Sequence, residues 1–222
     1  MTAFFIAGTD TEIGKTFVTC ALLHAARARG LKALGMKPIA AGAEQQGDEL
    51  INEDAARLRA AGSFDPGLAL LNPYCLKSPI APHIAAAEEG VVIEPAPILT
   101  AFAALKAQAD IVLVEGVGGF RVPLGKDYDT ADLARDLALP VILVVGMRLG
   151  CINHALLTAE AIAARGLTLA GWVANQVDPA MLRFEQNLAA LTERLPAPLL
   201  GVTPFQEDGD AARAAAGLQL PE

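Results

Sequence analysis

The sequence predicts an α/β fold: a doubly wound, mostly parallel sheet with helices on both faces. Three observations predict it. Apolar runs of strand length alternate with helical patterns along the 222 residues. The strand candidates, "DIVLVEG" and "LALPVILVVGM" among them, are apolar at consecutive positions, as strands covered on both faces are. The first of them passes through a glycine-bearing turn straight into a helical pattern, the start of a right-handed crossover unit.

That first strand, near 3–7, is "AFFIA", and it is followed by "GTDTEIGKT" at 8–16. Next comes "FVTCALLHAARARG", whose apolar positions suit a buried or half-buried helix near 15–29 closed by Gly30. Successive backbone N–H groups in such a turn, with the positive end of the following helix, attract an anion. In the P-loop pattern the lysine reaches the β- and γ-phosphates and the Ser/Thr hydroxyl ligates Mg²⁺, roles that fall to Lys15 and Thr16. The usual loop has four residues between its glycines. Here there are five, Thr9 to Ile13, so the cradle is one residue longer than the commonest form. The fold is therefore expected to be P-loop NTPase-like.

The strand near 32–37 ends at Lys37 in "ALGMKPIAAG", where Pro38 stops it. A lysine beside a phosphate site can neutralise charge as a phosphoryl group moves, and motif and spacing alone leave Lys37 between that role and an ordinary surface lysine. The helical pattern near 48–61 carries Asp54, which reads as a helix-start acid no different from Glu53. Residues 62–93, with three prolines in "NPYCLKSPIAPH", read as an irregular surface excursion over the sheet edge. A helix near 95–108 leads to the strand near 110–115, which ends in Glu115. A carboxylate there, facing the P-loop across the strand tips, can ligate Mg²⁺ directly or through water; the plainer alternative is a solvated residue opening a loop. The "GVGG" that follows suits close backbone approach and does not form the dinucleotide pattern GxGxxG.

A helix near 130–137 precedes the strand near 140–146, which is too short to span a bilayer and has a proline in its approach. "LGCINH" opens the helix near 152–165 with a glycine, a candidate carboxylate or phosphate site, and His154 within it reads as a packing or capping residue. The strand near 168–174 ends in "ANQVD", which matches the N-K-x-D base-reading motif of GTPases except at Gln176. Asn175 suits a base reader, and guanine specificity through Asp178 stays open. A helix near 179–194 and a strand near 198–202 complete the pattern. Ligands in such folds bind outside the carboxyl ends of the strands, so the site is sought at 8–16, 37–43, 115–119, 146–153, 175–178 and 203–205.

No linker, repeat or low-complexity segment divides the chain, so residues 1–222 are expected to form one ATP-binding α/β domain. A formal charge of −8 disfavours nucleic acid and anionic membranes as partners. "MTAFFIAGTD" lacks the basic start of a secretory signal, and the three cysteines, Cys20, Cys75 and Cys151, stand apart from one another. A reduced, cytoplasmic setting is expected.

With these residues collected, the chain resembles the dethiobiotin synthetase family. The matching stretches are "GTDTEIGKT", "KPIAAG", "NPY", "SPIAPHIAA", "VEGVGG", "LPVILVVG", "LGCINHALLTA", "LTLAGWVAN" and "PAPLLG", which run to about residue 201. The resemblance implies a homodimeric ATP-dependent ligase that condenses 7,8-diaminononanoate with CO₂ and MgATP. The products are dethiobiotin, ADP and phosphate, formed through a carbamate and a carbamic–phosphoric anhydride. It implies that Glu12, Ile13, Gly14, Lys15, Thr16 and Phe17 bind nucleotide together with Asp54, Glu115, Gly116, Val117 and Gly118. Thr16, Asp54 and Glu115 would ligate Mg²⁺; Lys37 and Lys15 would be catalytic, with Thr11 and Glu12 bordering the reacting amine. Asn175 and Gln176 would face the purine, Pro204 and Phe205 would flank it, and Ala41 would border the substrate. The amides of Gly150, Cys151, Ile152 and Asn153 from the partner subunit would hold the substrate's tail carboxylate. One position departs: Ala41 stands where the family often has Ser, which removes a possible hydroxyl contact.

Two other classes share parts of this pattern. Partition and metallochaperone switch ATPases have the same order of elements, but usually carry an extra lysine early in the loop or a cysteine pair, and neither occurs here. A GTPase reading rests on "NQVD" alone. A requirement of nucleotide turnover for the diamine and bicarbonate separates the ligase from both.

Overall fold

Strands covered on both faces send alternate side chains into two separate cores, and that alternation organises this chain. The computed structural model describes residues 2–47 and 49–221. The elements up to the middle of the chain are β1 (Thr2–Gly8), α1 (Lys15–Ala28), β2 (Ala33–Met36), β3 (Ile39–Ala41), β4 (Ala43–Gln46), β5 (Glu49–Asn52), α2 (Glu53–Ala61), α3 (Leu68–Leu71), β6 (Tyr74–Leu76), α4 (Pro82–Glu88) and α5 (Pro95–Lys106). They are followed by β7 (Ile111–Glu115), α6 (Thr130–Asp136), β8 (Val141–Met147), α7 (Cys151–Ala164), β9 (Leu169–Gln176), α8 (Phe184–Arg194), β10 (Leu199–Thr203) and α9 (Ala211–Ala214).

Among the described residues, six strands form one sheet in the order β10-β9-β8-β1-β7-β2, every pair parallel. The doubly wound parallel sheet anticipated from the sequence is thus present. The chain runs from β1 out to β2, returns to β7 beside β1, then crosses to β8 on the other side. The switch in strand order therefore lies at β1, and the loop leaving β1 sits at the crevice where such sheets hold ligands.

Phe5 on β1, Val112 and Val114 on β7 and Leu143 and Val145 on β8 enter one core, beneath α5, α6 and α7. Phe4, Ile6, Ile111, Leu113, Ile142 and Val144 enter the other, against Val18, Leu22 and Leu23 of α1. Each such side chain, when fully buried, contributes roughly 1.5–3 kcal/mol of transfer free energy. The same parity puts Glu115, two residues beyond Leu113, on the α1 face.

Three expectations change. The helix expected over 48–61 begins at Glu53, its expected first residue, Asp48, lying outside the described residues. Residues 43–46 and 49–52 pair as an antiparallel hairpin instead. The physical stop is Asn52, whose Oδ1 accepts from the backbone N–H of Asp54 at 3.0 Å and of Ala55 at 3.4 Å, an N-cap that starts the helix there. The helix expected from 179 starts at Phe184, because Asp178 Oδ1 takes the Ala180 N–H in an Asx turn and Arg183 adopts a left-handed φ of 59°. Residues 62–93 are more than a surface excursion: Leu71, Leu76, Ala85, Ala86 and Ile93 are buried, and β6 pairs with β3. No helix among the described residues is long and apolar enough to cross a membrane.

The loop from β7 to α6 is anchored at Asp129, which caps α6 in a reciprocal box with Asp132 and accepts from Arg121 and Arg165. Replacing Asp129 with alanine is expected to lower stability by about 2 kcal/mol, a fall of about 4–8 °C in melting temperature by calorimetry. An unchanged melting temperature would remove this cap from the account of the loop.

Candidate active site

At the carboxyl ends of β1, β2 and β7 the sequence is forced to bring charge together. Gly14, with φ of 77°, turns the chain into α1, and Lys15 and Thr16 are the first two residues of that helix. Lys37 follows β2 directly, and Glu115 ends β7. The Lys37 ammonium lies 2.6 Å from Glu115 Oε1 and 2.9 Å from Asp54 Oδ2. Thr16 donates its hydroxyl to the same Glu115 Oε1 at 2.7 Å, which leaves its lone pairs free.

Backbone contacts fix these side chains in place. The Lys37 N–H donates to the Leu71 carbonyl at 2.8 Å, and Asn72 Nδ2 donates to the Lys37 carbonyl at 2.6 Å. The segment expected to be a surface excursion thus sets the Lys37 backbone. Asn52 Nδ2 donates to the carbonyls of Ala41 and Gly42, both at 3.2 Å, so the residue that caps α2 also ties Asp54's helix to the exit of β3. Glycine is required where the lysine folds back, because a Cβ on Gly8 would lie 2.7 Å from Lys15 Cδ.

Electrostatics distinguishes the two lysines. Burial and the neighbouring Lys37 pull the Lys15 ammonium down to about 8, although Glu115, Asp54 and Asp10 act the other way. Its Nζ donates to the Asp10 carbonyl at 2.8 Å. Burial would also strip Lys37 of its proton, but Glu115 and Asp54 more than offset this and hold it above the ordinary lysine range. Burial acts to raise the Asp54 carboxyl, and Lys37 wins, holding it below the ordinary range. Lys37 is therefore a fixed cation, and Lys15 the lysine whose charge responds to what binds beside it.

Glu115 has no solvent exposure and its Oε2 has no hydrogen-bond partner. A buried carboxylate oxygen left without a donor is costly unless a cation meets it. Among the described residues no three His, Cys, Asp or Glu side chains converge on a metal. Two carboxylates and a hydroxyl suit Mg²⁺, which keeps waters and takes its remaining oxygens from nucleotide phosphates.

Together these groups line a cleft of about 760 Å³. It contains Thr11, Glu12, Gly14, Lys15, Thr16, Phe17, Lys37, Ala41, Asp54, Glu115, Val117 and Gly118. Ile13 is buried beneath the loop and Gly116 is packed on the Phe5 ring, where a Cβ would lie 3.0 Å from Cζ. Asn175, Gln176, Pro204 and Phe205 stand at and beyond the ends of β9 and β10, outside the cleft lining, with Asn175 in contact with the loop. Gly150, Cys151, Ile152 and Asn153 open α7 and do not line it. Arg57, Ala40, Val122 and residues 79–82 line the cleft without having been singled out in the sequence. For Arg57 a signal existed: it follows Asp54 by three residues and so shares its helix face.

The model of the family described as AAA domain matches residues 2–213. Over 219 residues the chain is 74% identical to the ATP-dependent dethiobiotin synthetase BioD of Aromatoleum aromaticum, covering 99% of this chain and 97% of that one. The chain belongs to the dethiobiotin synthetase family. The BioD of Xanthomonas oryzae pv. oryzae is 56% identical over 219 residues, with 99% and 98% covered. Among solved structures, the cell division ATPase MinD of Pyrococcus furiosus superposes with a TM-score of 0.60 at 18% identity, covering 97% of this chain and 95% of that one. A ParA family ATPase from Chlorobium tepidum superposes at 0.58 with 12% identity, covering 96% and 90%. These likenesses establish the P-loop NTPase-like α/β fold; the dethiobiotin synthetases supply the family.

A polyanion bound beside Lys15 restores the proton that burial weakens. At pH 7 the lysine, titrating at about 8, is already mostly charged. Above that it must take up a proton on binding. ATP affinity is expected to fall as pH rises from 8 to 9.5, approaching tenfold per unit, with uptake of close to one proton per ATP measured calorimetrically in buffers of different ionisation enthalpy. Lys15→Met should abolish the uptake; a flat affinity profile for the native protein would contradict the assignment.

Proposed function

We propose that this chain is an ATP-dependent dethiobiotin synthetase that carboxylates 7,8-diaminononanoate and closes its ureido ring, releasing ADP and phosphate. The observation that carries this reading is the convergence of Lys15, Thr16, Lys37, Asp54 and Glu115 on one cleft in a chain of this family. The chain works as a single ATP-binding α/β domain.

The γ-phosphoryl end of ATP lies over the Gly14 turn, with the start of α1 and Lys15 facing its oxygens. Thr16, Asp54 and Glu115 would hold Mg²⁺, which would supply positive charge against the nucleotide phosphates. Asn175 and Gln176 meet the purine and Pro204 and Phe205 flank it, past the ends of β9 and β10.

The diamine enters beside Thr11, Glu12, Lys37 and Ala41. Two vicinal ammonium groups repel, so one gives up its proton and attacks CO₂ as a neutral amine. The carbamate oxygen then takes the γ-phosphoryl group and ADP departs; the second ammonium loses a proton, attacks the carbamoyl carbon as a neutral amine and, shedding a further proton to solvent, expels phosphate. Lys37 keeps its proton throughout and faces the charge that accumulates on the transferring group, while the cleft keeps the second amine in range of the anhydride.

The tail carboxylate sits on the amides of Gly150, Cys151, Ile152 and Asn153 of a second subunit. Their separation from the chain's own cleft supports a site shared across a homodimer, as do the exposed Leu149 and Leu157 beside them, 96% and 57% accessible. Free Cys20, Cys75 and Cys151 suit a cytoplasmic enzyme.

Phosphate release from ATP is expected to require both 7,8-diaminononanoate and bicarbonate; release that ignores the diamine, or that needs a protein partner, would point to a switch ATPase. Lys37→Ala is expected to reduce turnover by about 100-fold or more, on the scale of removing one preorganised donor. Mixing an inactive Lys37 variant with an inactive variant of residues 150–153 is expected to restore activity in hybrid dimers. Hybrids that form and stay inactive would mean that each site is built within one subunit.

A further inference from the structure

The phosphate loop is held from a second side, by groups that touch neither Lys37 nor Glu115. Asn175 on β9 and Thr203 on β10 are partners in register on adjacent parallel strands, 5% and 0% exposed. Asn175 Nδ2 donates to the Ile13 carbonyl at 2.8 Å, and the Thr203 hydroxyl donates to Asn175 Oδ1 at 2.6 Å. The orientation of the carboxamide follows from chemistry: a carbonyl only accepts, so the amino end must face Ile13 and the oxygen must face Thr203. The fit is close. A Cβ on Gly14 would lie 2.2 Å from Asn175 Nδ2, and the Ile13 side chain covers Gly146 on β8, where a Cβ would meet Cγ2 at 2.5 Å.

The Ile13 carbonyl and the Gly14 N–H belong to one planar trans peptide and point in opposite directions. Holding the carbonyl against Asn175 therefore turns the Gly14 N–H away from β9, toward the cleft that Gly14 lines. We propose that Thr203 is a positioning residue for the phosphate cradle. Its hydroxyl locks the Asn175 carboxamide, which clamps Ile13 and so aims the Gly14 amide at the bound phosphates. The consequence for affinity rests on the cleft being a triphosphate site; the brace itself does not. One Nδ2 hydrogen and one Oδ1 lone pair of Asn175 are left over by these two bonds, so the base-reading role given to it under the proposed function is compatible with the brace.

Inorganic tripolyphosphate, which has no base, separates loop positioning from base reading. T203V and T203A both lose the hydroxyl, one keeping the side-chain volume and one not, while T203S keeps the hydroxyl. Both hydroxyl-free variants are expected to bind tripolyphosphate and ATP about tenfold more weakly than the native protein, the scale of a buried amide left without its partner. KM for ATP should rise with KM for the diamine unchanged, and T203S should bind like the native protein. Native-like binding of tripolyphosphate by T203V and T203A, equal loss in T203S, or an equal rise in both KM values would overturn the proposal. In nucleotide-free protein, NMR should show exchange of the Asn175 side-chain amide about tenfold faster in T203V and T203A, and unchanged in T203S. Retained protection in the hydroxyl-free variants overturns the brace whatever the ligand. Failure of the native protein to bind ATP or tripolyphosphate would instead strike the nucleotide site, with the exchange measurement still judging the brace.

Discussion

A carboxylate with no solvent exposure is held at the tip of β7 by an ammonium from the end of β2 and a hydroxyl from the start of α1. Taking such ions out of water costs several kcal/mol each, and only close pairing offsets that. The pairing with Lys37 at 2.6 Å offsets that for Oε1, while Oε2 stays without a donor, and the pairing constrains the surroundings. Lys37 must arrive with a set backbone, which Leu71 and Asn72 provide, and Asp54 must arrive on a helix whose start is set by Asn52. Elements that look peripheral in the chain are in this way tied to one anion.

The charges around it form a site that is close to neutral before anything binds: two lysines face two carboxylates. Incoming phosphates would tip that balance, and the two lysines answer differently. Lys37, squeezed between two carboxylates, keeps its proton, whereas Lys15, buried and repelled by Lys37, holds its proton less firmly and takes one up on meeting an anion only above about pH 8. The division is set by position, since the residues are chemically identical. Asp10 takes the resting Lys15 ammonium on its carbonyl, and its carboxylate pairs with Arg148 at 2.6 Å, linking the loop to the segment that opens α7.

How much of this was legible in the sequence depends on the range of the interaction. The six-stranded sheet was legible because double-sided burial leaves unbroken apolar runs, and the loop because its glycine, lysine and threonine must be contiguous to surround a phosphate. Glu115 was legible by its position at a strand end. Lys37 and Asp54 were ambiguous, since what separates them from surface residues is a contact between positions 17 and 78 apart in sequence. Residues 49–52, the second strand of the hairpin, were read as helix because the acids there resemble a helix start, while the decisive signal was a single Asn whose side chain outcompeted the alternatives. Residues 62–93 were misjudged for a related reason: prolines mark irregular backbone, and irregular backbone can still be buried when its polar groups find partners, as Asn72 does with the Lys37 and Tyr74 carbonyls.

Ala41 shows how far this logic carries at the position expected to depart from the family pattern. It lines the cleft, and its carbonyl accepts from Asn52, so its backbone is already fixed by the residue that starts the Asp54 helix. A hydroxyl at this position would add one polar contact to the cleft wall without altering any tie that sets Lys37, Asp54 or Glu115. The charged constellation is built from the ends of β2 and β7 with the starts of α1 and α2, the loop brace from β9 and β10, and neither passes through the Ala41 side chain. The loop between Gly8 and Thr16 is thus clamped from both flanks by buried hydrogen bonds that exist without ligand, and neither clamp depends on the Ala41 side chain.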